Sequence, residues 1–188
     1  MVELVVLLAI ITVISSVVLA SFPVLSRRIH LQRSARQVAL SLRKAQNMAF
    51  AVRQANTVSG RVIPPAYGVH FSRTAPTSYL VFADLRGGPS GTADGIYSPA
   101  TDAVVETIAL DPGIRIANLL ADLSAPQDAI SVSFSVPEAR MSIASPTLPL
   151  TESLEVVLQV EAGSTLPAGA PNLTRSVIVR TSGQIRVQ

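Results

Sequence analysis

The chain has 188 residues, of which 48% are hydrophobic and 14% charged, and its formal net charge is +3. This composition is too apolar for a disordered protein, and the length allows one modest hydrophobic core. The lack of cysteine excludes disulfides, thiol catalysis and zinc sites with sulfur ligands. Val, Ile, Ser and Thr are plentiful after residue 60, a bias that is typical of strands.

Residues 1–25 are almost wholly apolar and carry a single charged side chain, Glu3. An apolar run of about 20 residues can cross a bilayer as a helix, so we predict a transmembrane segment. A cleaved signal peptide would have a basic start, and a buried core helix would need a later helix to cover it. Glu3 has either a functional role in this segment or a place among the lipid head groups.

The predicted helix continues past Pro23 to about residue 54. Because proline lacks an amide proton and clashes with the preceding turn, we predict a joint at residues 19–22. Beyond it, apolar side chains recur every three or four residues, which lines them along one side of a helix. They are Leu31, Ala35, Val38, Leu42, Ala45, Ala49 and Val52. We expect this stripe to pack against a sheet, while the basic side chains elsewhere are either solvated or contact phosphate.

The remainder, residues 55–188, reads as strands separated by loops rich in Gly, Pro and small polar residues. The predicted strands are 67–72, 78–84, 104–110, 115–117, 130–136, 154–160 and 176–181, and Ser182-Gly183 links the last of these to a final strand in a tight hairpin. Residues 60–65 and 86–101 are predicted as loops, the second one exposed.

The predicted fold class is therefore α+β. A long N-terminal helix, with a membrane half and an amphipathic half, packs on a small antiparallel β-sheet domain. The predicted boundaries are 1–25 for the membrane and assembly helix, 26–54 for the amphipathic helix and 55–188 for the β domain.

The sequence shows no pattern of a hydrolytic triad, a phosphate-binding glycine loop or a metal site around its two histidines. Asp84, Asp94, Asp102 and Glu106 raise the question of calcium, but their spacing does not match an EF-hand loop. We therefore predict a protein that is not an enzyme and has no cofactor, metal or small-molecule substrate.

The start of the chain has a familiar pattern. Glu3 followed by LVVLLAIITVISSVVLA resembles the mature N-terminus of type IV pilins and type II secretion pseudopilins. The segments LQRSARQVALSLRKAQNMAFAVRQ, VFADLRGGPSGTADGIYSPATDAVVETIALDPGIRI and SVIVRTSGQIRVQ resemble the minor pseudopilins of the GspH/FimT type. The basic leader and the Phe that becomes methylated in this family do not precede Glu3, so we expect the chain to begin inside the motif.

The resemblance implies a pilin-like minor subunit of a type IV pilus or a type II secretion pseudopilus. Such a subunit is held in the bacterial inner membrane by one helix, with its C-terminal domain on the periplasmic side, and enters a filament on assembly. Its partners are other pilin or pseudopilin subunits, bound through the N-terminal helix. The resemblance gives Glu3 an assembly role, in which it meets the N-terminal amine of a neighbouring subunit.

A second class of function stays open at this point, namely a single-pass membrane protein whose β domain binds a ligand such as DNA. Some relatives in this subgroup capture DNA through a Gly-Arg-x-Arg ending, and residues 183–186 here read Gly-Gln-Ile-Arg. Arg175, Arg180 and Arg186 are the candidate DNA contacts. Aromatic side chains that could stack on bases are lacking beside them.

Overall fold

In the computed structural model, the backbone is described for residues 2–57, 60–85, 93–148, 151–161 and 173–188. Side chains are described for the same residues except 17–24. Residues 19–22, where a joint was predicted, lie within the described helical backbone, but the side chain of Pro23 lies outside the described residues, so the joint stays a prediction.

Helix α1 runs from Val2 to Phe50. The predicted stripe is confirmed over its first six members, which are at most 2% exposed, from Leu31 to Ala49. Val52 was placed wrongly, because it follows the helix end and is 39% exposed. Its φ of 48° lies in the left-handed region, a conformation that commonly closes the C-terminal end of a helix.

The rest of the described chain forms twelve strands, more than the eight predicted. They are β1 (Ala55–Thr57), β2 (Gly60–Val62), β3 (Ala66–Ser72), β4 (Ser78–Asp84), β5 (Ala103–Ala109), β6 (Ile114–Ala121), β7 (Ala125–Pro126), β8 (Ala129–Ser135), β9 (Met141–Ala144), β10 (Ser153–Val160), β11 (Thr174–Arg180) and β12 (Ile185–Val187).

These strands form three antiparallel sheets. The first sheet has the order β5-β4-β3-β8-β9, and the second has the order β12-β11-β10-β6-β7. Strands β1 and β2 form a separate pair, and β2 occupies the first half of residues 60–65, which were predicted as a loop. The predicted strands are confirmed. Seven of them are the longest strands of the two large sheets, and the eighth is β12, which follows the last hairpin.

The predicted fold class, a long helix on a small β-sheet domain, is wrong. Of the residues whose side chains are described, 42% lie in strands and 26% in the helix, so the protein is mostly β with three sheets. The missed strands β1, β2, β7 and β9 have two to four residues each. Their Gly, Pro and polar residues are typical of loops, but their backbone groups pair with a neighbouring strand because peptide N–H and C=O groups need partners.

One continuous core joins α1 to both large sheets. It includes Leu42 of the helix, Tyr67 and Val132 of the first sheet, and Leu154 and Val177 of the second. The helix contacts β3 and β8 on one side and β10, β11 and β12 on the other. The alanines of its buried stripe allow this close approach. Among the side chains that are described, no core residue precedes Leu31, so residues 2–16 take no part in the core.

Candidate functional site: the exposed apolar helix

The N-terminal part of α1 exposes an unusual amount of apolar surface. Every side chain of residues 2–16 is exposed. Ten of them are large aliphatic groups with exposed fractions from 52% to 79%: Val2, Leu4, Val5, Val6, Leu7, Leu8, Ile10, Ile11, Val13 and Ile14. Since burying one such side chain contributes about 1.5–3 kcal/mol, this surface strongly favours an apolar partner over water.

Glu3 lies in the first turn of α1 and is exposed. No other ionisable side chain occurs between it and Arg27. The positive end of the helix dipole favours a carboxylate at this position. Once the surrounding aliphatic surface is covered, however, an unpaired carboxylate becomes costly and a cation beside it stabilises the contact. The position of Glu3 therefore favours a partner that places a cation beside this carboxylate.

Two hydroxyl groups in this segment form hydrogen bonds within the helix. Thr12 Oγ1 donates to the carbonyl oxygen of Leu8, and Ser16 Oγ donates to that of Val13 at 2.8 Å. These bonds let both side chains enter an apolar environment without losing a hydrogen bond. Among the side chains that are described, no helical segment is both long and apolar enough to cross a bilayer.

A loop between β5 and β6 holds α1 where its buried half begins. Asp111 Oδ2 lies 3.2 Å from Nδ1 of His30 and 3.9 Å from Nε of Arg33. The backbone N–H of Asp111 also donates to Ser34 Oγ, at 3.3 Å. The loop thus contacts three residues on one side of the helix, His30, Arg33 and Ser34, and holds α1 at this point.

Gly113 extends this contact. Its φ of 77° is in the left-handed region, and a Cβ atom built there would lie 1.9 Å from Nη1 of Arg27. Only glycine therefore fits the turn as it stands. The sequence contained Leu-Asp-Pro-Gly-Ile at 110–114 as part of the family pattern, but nothing in it showed that Asp111 would meet the helix.

The structure brings together two of the three candidate DNA contacts. Arg186 pairs across the strands with Ile178, and Arg180 lies two residues from Ile178, so both arginines share the outer face of the second sheet. Glu155 pairs with Ile178 from the other side and places a carboxylate in the same row. Arg175 is an odd number of residues away and lies on the opposite face. The three arginines do not form one patch.

The loop that was predicted to be exposed packs on the first sheet where it is described. Residues 93–102, here called the 93–102 loop, cover the outer face of the first sheet. Tyr97 lies over His70 with ring centroids 5.0 Å apart, and its N–H donates to Ser131 Oγ at 3.1 Å. His70 Nδ1 lies 3.0 Å from the same Ser131 Oγ. Burial lowers the pKa of His70 to about 4.

Asp84 contacts the 93–102 loop near its N-terminal end, at Gly95. It is fully buried, and its Oδ2 accepts a hydrogen bond of 2.9 Å from the N–H of Gly95. Burial raises the pKa of Asp84 to about 7, the Gly95 bond lowers it in part, and the charges of Asp102 and Asp94 raise it further. The carboxyl group is therefore largely protonated below neutral pH.

The remaining acids considered for calcium have other partners. Asp102 accepts hydrogen bonds from the N–H groups of Leu85 and Ser98, and Glu106 pairs with Lys44. Within the described parts of the chain, no three acidic or histidine side chains converge in a way that could hold a metal ion.

No family model matches the chain, and no curated protein or solved structure was found to be similar to it. The resemblance to pilins thus rests on the sequence motifs given above.

Proposed function

We propose that the protein is a minor pilin or pseudopilin, a structural subunit that is held in the membrane and then assembles into a type IV pilus or a type II secretion pseudopilus. The observation that carries this proposal is the exposed aliphatic surface of residues 2–16, with Glu3 as its only charge. A surface of this kind needs lipid before assembly and neighbouring helices after it.

The attachment of α1 supports the same function. Residues 31–49 are built into the core, while the Asp111 loop holds the helix just before that part. The β-sheet domain can therefore fold around one half of α1 and present the other half to partners. The resemblance of the N-terminal motif to pilins adds the role of Glu3, which pairs with the N-terminal amine of the next subunit.

The test is incorporation of Glu3→Ala and Glu3→Gln subunits into filaments in cells that also express wild type. If Glu3 makes a charge pair inside an apolar filament core, both variants should enter sheared filaments at least tenfold less than wild type, since losing one buried partner costs several kcal/mol. Glu138→Ala, which removes a largely exposed carboxylate from the β-sheet domain, is the matched control. Equal incorporation of all four proteins would show that Glu3 has no assembly role.

Cysteine crosslinking separates this function from that of a solitary membrane anchor. The chain has no cysteine, so pairs introduced along residues 4–14 report only on contacts between copies. A filament subunit should give disulfides at a fixed spacing along the helix. A solitary anchor with a ligand-binding β domain should give no ordered pattern. The mixed row of Arg180, Arg186 and Glu155 provides no specific support for DNA as that ligand.

A further inference from the structure

The outer side of α1 carries a second exposed stripe beyond the apolar segment. It follows a spacing of three and four residues, which places its members on one side of the helix, opposite the buried stripe. Four of them are large hydrophobic side chains that are 57% to 63% exposed. The outer stripe consists of Leu25, Ile29, Gln32, Arg36, Leu40, Arg43, Asn47 and Phe50, all exposed.

Charge is strongly segregated along the chain. No acidic residue occurs between Glu3 and Asp84, and that stretch holds nine of the 15 basic residues. On the helix, Lys44 pairs with Glu106 and Arg33 lies near Asp111. Neither Arg36 nor Arg43 has an acidic partner among the described residues. The outer stripe therefore combines exposed apolar groups with unneutralised guanidinium groups.

This combination matches the surface of an anionic bilayer. Leucine, isoleucine and phenylalanine side chains can enter the boundary between head groups and acyl chains, while arginines bond to lipid phosphates. A nucleic acid would also attract the arginines, but its phosphates and bases are recognised by polar and aromatic side chains, and Phe50 is the single aromatic residue on the stripe. The exposed Leu25, Ile29 and Leu40 favour lipid.

We propose that, before assembly, the outer stripe of α1 lies on the surface of an anionic bilayer while residues 2–16 contact the lipid of the same bilayer. This inference rests on the membrane location in the proposed function, but it does not depend on assembly into a filament. The arginines fix the helix to the head groups, and the β-sheet domain covers the side that faces water.

A fluorescent reporter can measure this contact in the full chain. The chain has no tryptophan, so Leu40→Trp introduces a unique reporter on the outer stripe. Asn118→Trp places the same reporter at an exposed position of β6, outside the core, and serves as the reference. Each variant is reconstituted with vesicles of brominated phosphatidylcholine, with and without phosphatidylglycerol. Flotation measures separately how much protein is bound.

The Leu40→Trp emission should be quenched several times more strongly than the Asn118→Trp emission in anionic vesicles. High salt should abolish the difference, because it screens the head-group contacts. Each arginine near an anionic surface raises the bound-to-free ratio about fivefold. Adding Arg36→Gln and Arg43→Gln to the Leu40→Trp variant should therefore lower the bound-to-free ratio of the stripe roughly 30-fold. Arg73→Gln with Arg140→Gln removes equal charge from the β-sheet domain and should leave quenching unchanged.

Three results would overturn the proposal in distinguishable ways. Equal quenching of the two reporters in floated anionic vesicles would show that the stripe stays in water, although the membrane location would stand. A Leu40→Trp emission that responds to duplex DNA and not to vesicles would identify a nucleic acid as the partner. A chain that floats with neither kind of vesicle would contradict the membrane location as well.

Discussion

Replacing Asp84 or His70 should change how the free energy of unfolding depends on pH, and in opposite directions. Burial raises the pKa of Asp84 to about 7, whereas an unfolded aspartate has a pKa of about 3.9. Between about pH 4 and 7 the folded protein holds a proton that the unfolded chain has released. The contribution of Asp84 to the unfolding free energy therefore falls as pH rises through this range. Above that window its contribution is constant.

His70 acts in the opposite sense. Burial lowers its pKa to about 4, whereas an unfolded histidine has a pKa of about 6.5. Between these values the unfolded chain binds a proton that the folded protein does not, so His70 raises stability as pH rises. Burial also raises the pKa of Asp102, which adds to the effect of Asp84 at the acid end.

The magnitudes follow from proton linkage. One proton of difference between folded and unfolded states changes the unfolding free energy by about 1.4 kcal/mol per pH unit. In the wild type, the opposite contributions of Asp84 and His70 to the pH dependence of the unfolding free energy largely cancel between about pH 4 and 6.5. In Asp84→Asn, only His70 of these two residues remains, and the unfolding free energy should rise by about 1 kcal/mol per pH unit. In His70→Gln, only Asp84 of the two remains, and the unfolding free energy should fall as pH rises. In the double variant, the unfolding free energy should change little with pH except at the acid end, where Asp102 still contributes.

The assay is urea unfolding in mild detergent across this pH range, followed by tyrosine fluorescence, which includes Tyr97 of the 93–102 loop. Asparagine keeps an acceptor for the N–H of Gly95, so Asp84→Asn should be the more stable protein above pH 7. Asp128→Asn, whose side chain is 90% exposed, is the control. Wild-type and Asp84→Asn profiles that run parallel from pH 4 to 8 would refute the assignment of a buried, protonated carboxyl group.

Two further pairs of substitutions test packing in the same unfolding assay. Gly68→Ala places a Cβ atom 2.6 Å from the ring of Phe82 and 2.8 Å from the carbonyl oxygen of Val132, so stability should fall by about 2–3 kcal/mol. Gly183→Ala, with nothing within 4 Å, should lose only about 1 kcal/mol through its φ of 86°, and an equal loss at both sites would contradict the steric argument. Leu42→Ala removes a fully buried side chain of α1 and should cost about 3 kcal/mol, whereas Leu40→Ala on the exposed side should cost less than about 0.5 kcal/mol. A similar loss at both leucines would show that the helix does not pack through its predicted stripe.

The sequence was sufficient for the elements whose residues repeat with a clear period. The stripe from Leu31 to Ala49 and the long strands of both large sheets follow directly from spacing and composition. The serines of β8 show the limit of that reasoning. Ser131 and Ser133 alternate with apolar residues as in a strand with one solvated face, yet both are buried because the 93–102 loop covers them. Local spacing does not show what a distant loop will cover.

The same limit applies to the candidate sites. The exposed apolar helix and Glu3 were visible because the signal lies within one segment. The contact of Asp111 with His30 joins positions 81 residues apart, and the separation of Arg175 from Arg180 and Arg186 depends on strand register. Neither is encoded in a motif, because a shift of one residue in pairing moves a side chain to the other face of a sheet.

Folding and association use different parts of α1. The core takes its helical residues from Leu31 onwards, and the Asp111 loop fixes the helix at His30 and Arg33. Nothing in the core depends on the exposed aliphatic groups of residues 2–16, so changes there should leave the stability of the β-sheet domain unaltered. Under the proposed function, that separation would let one helix leave a bilayer for a filament while the domain attached to it stays folded.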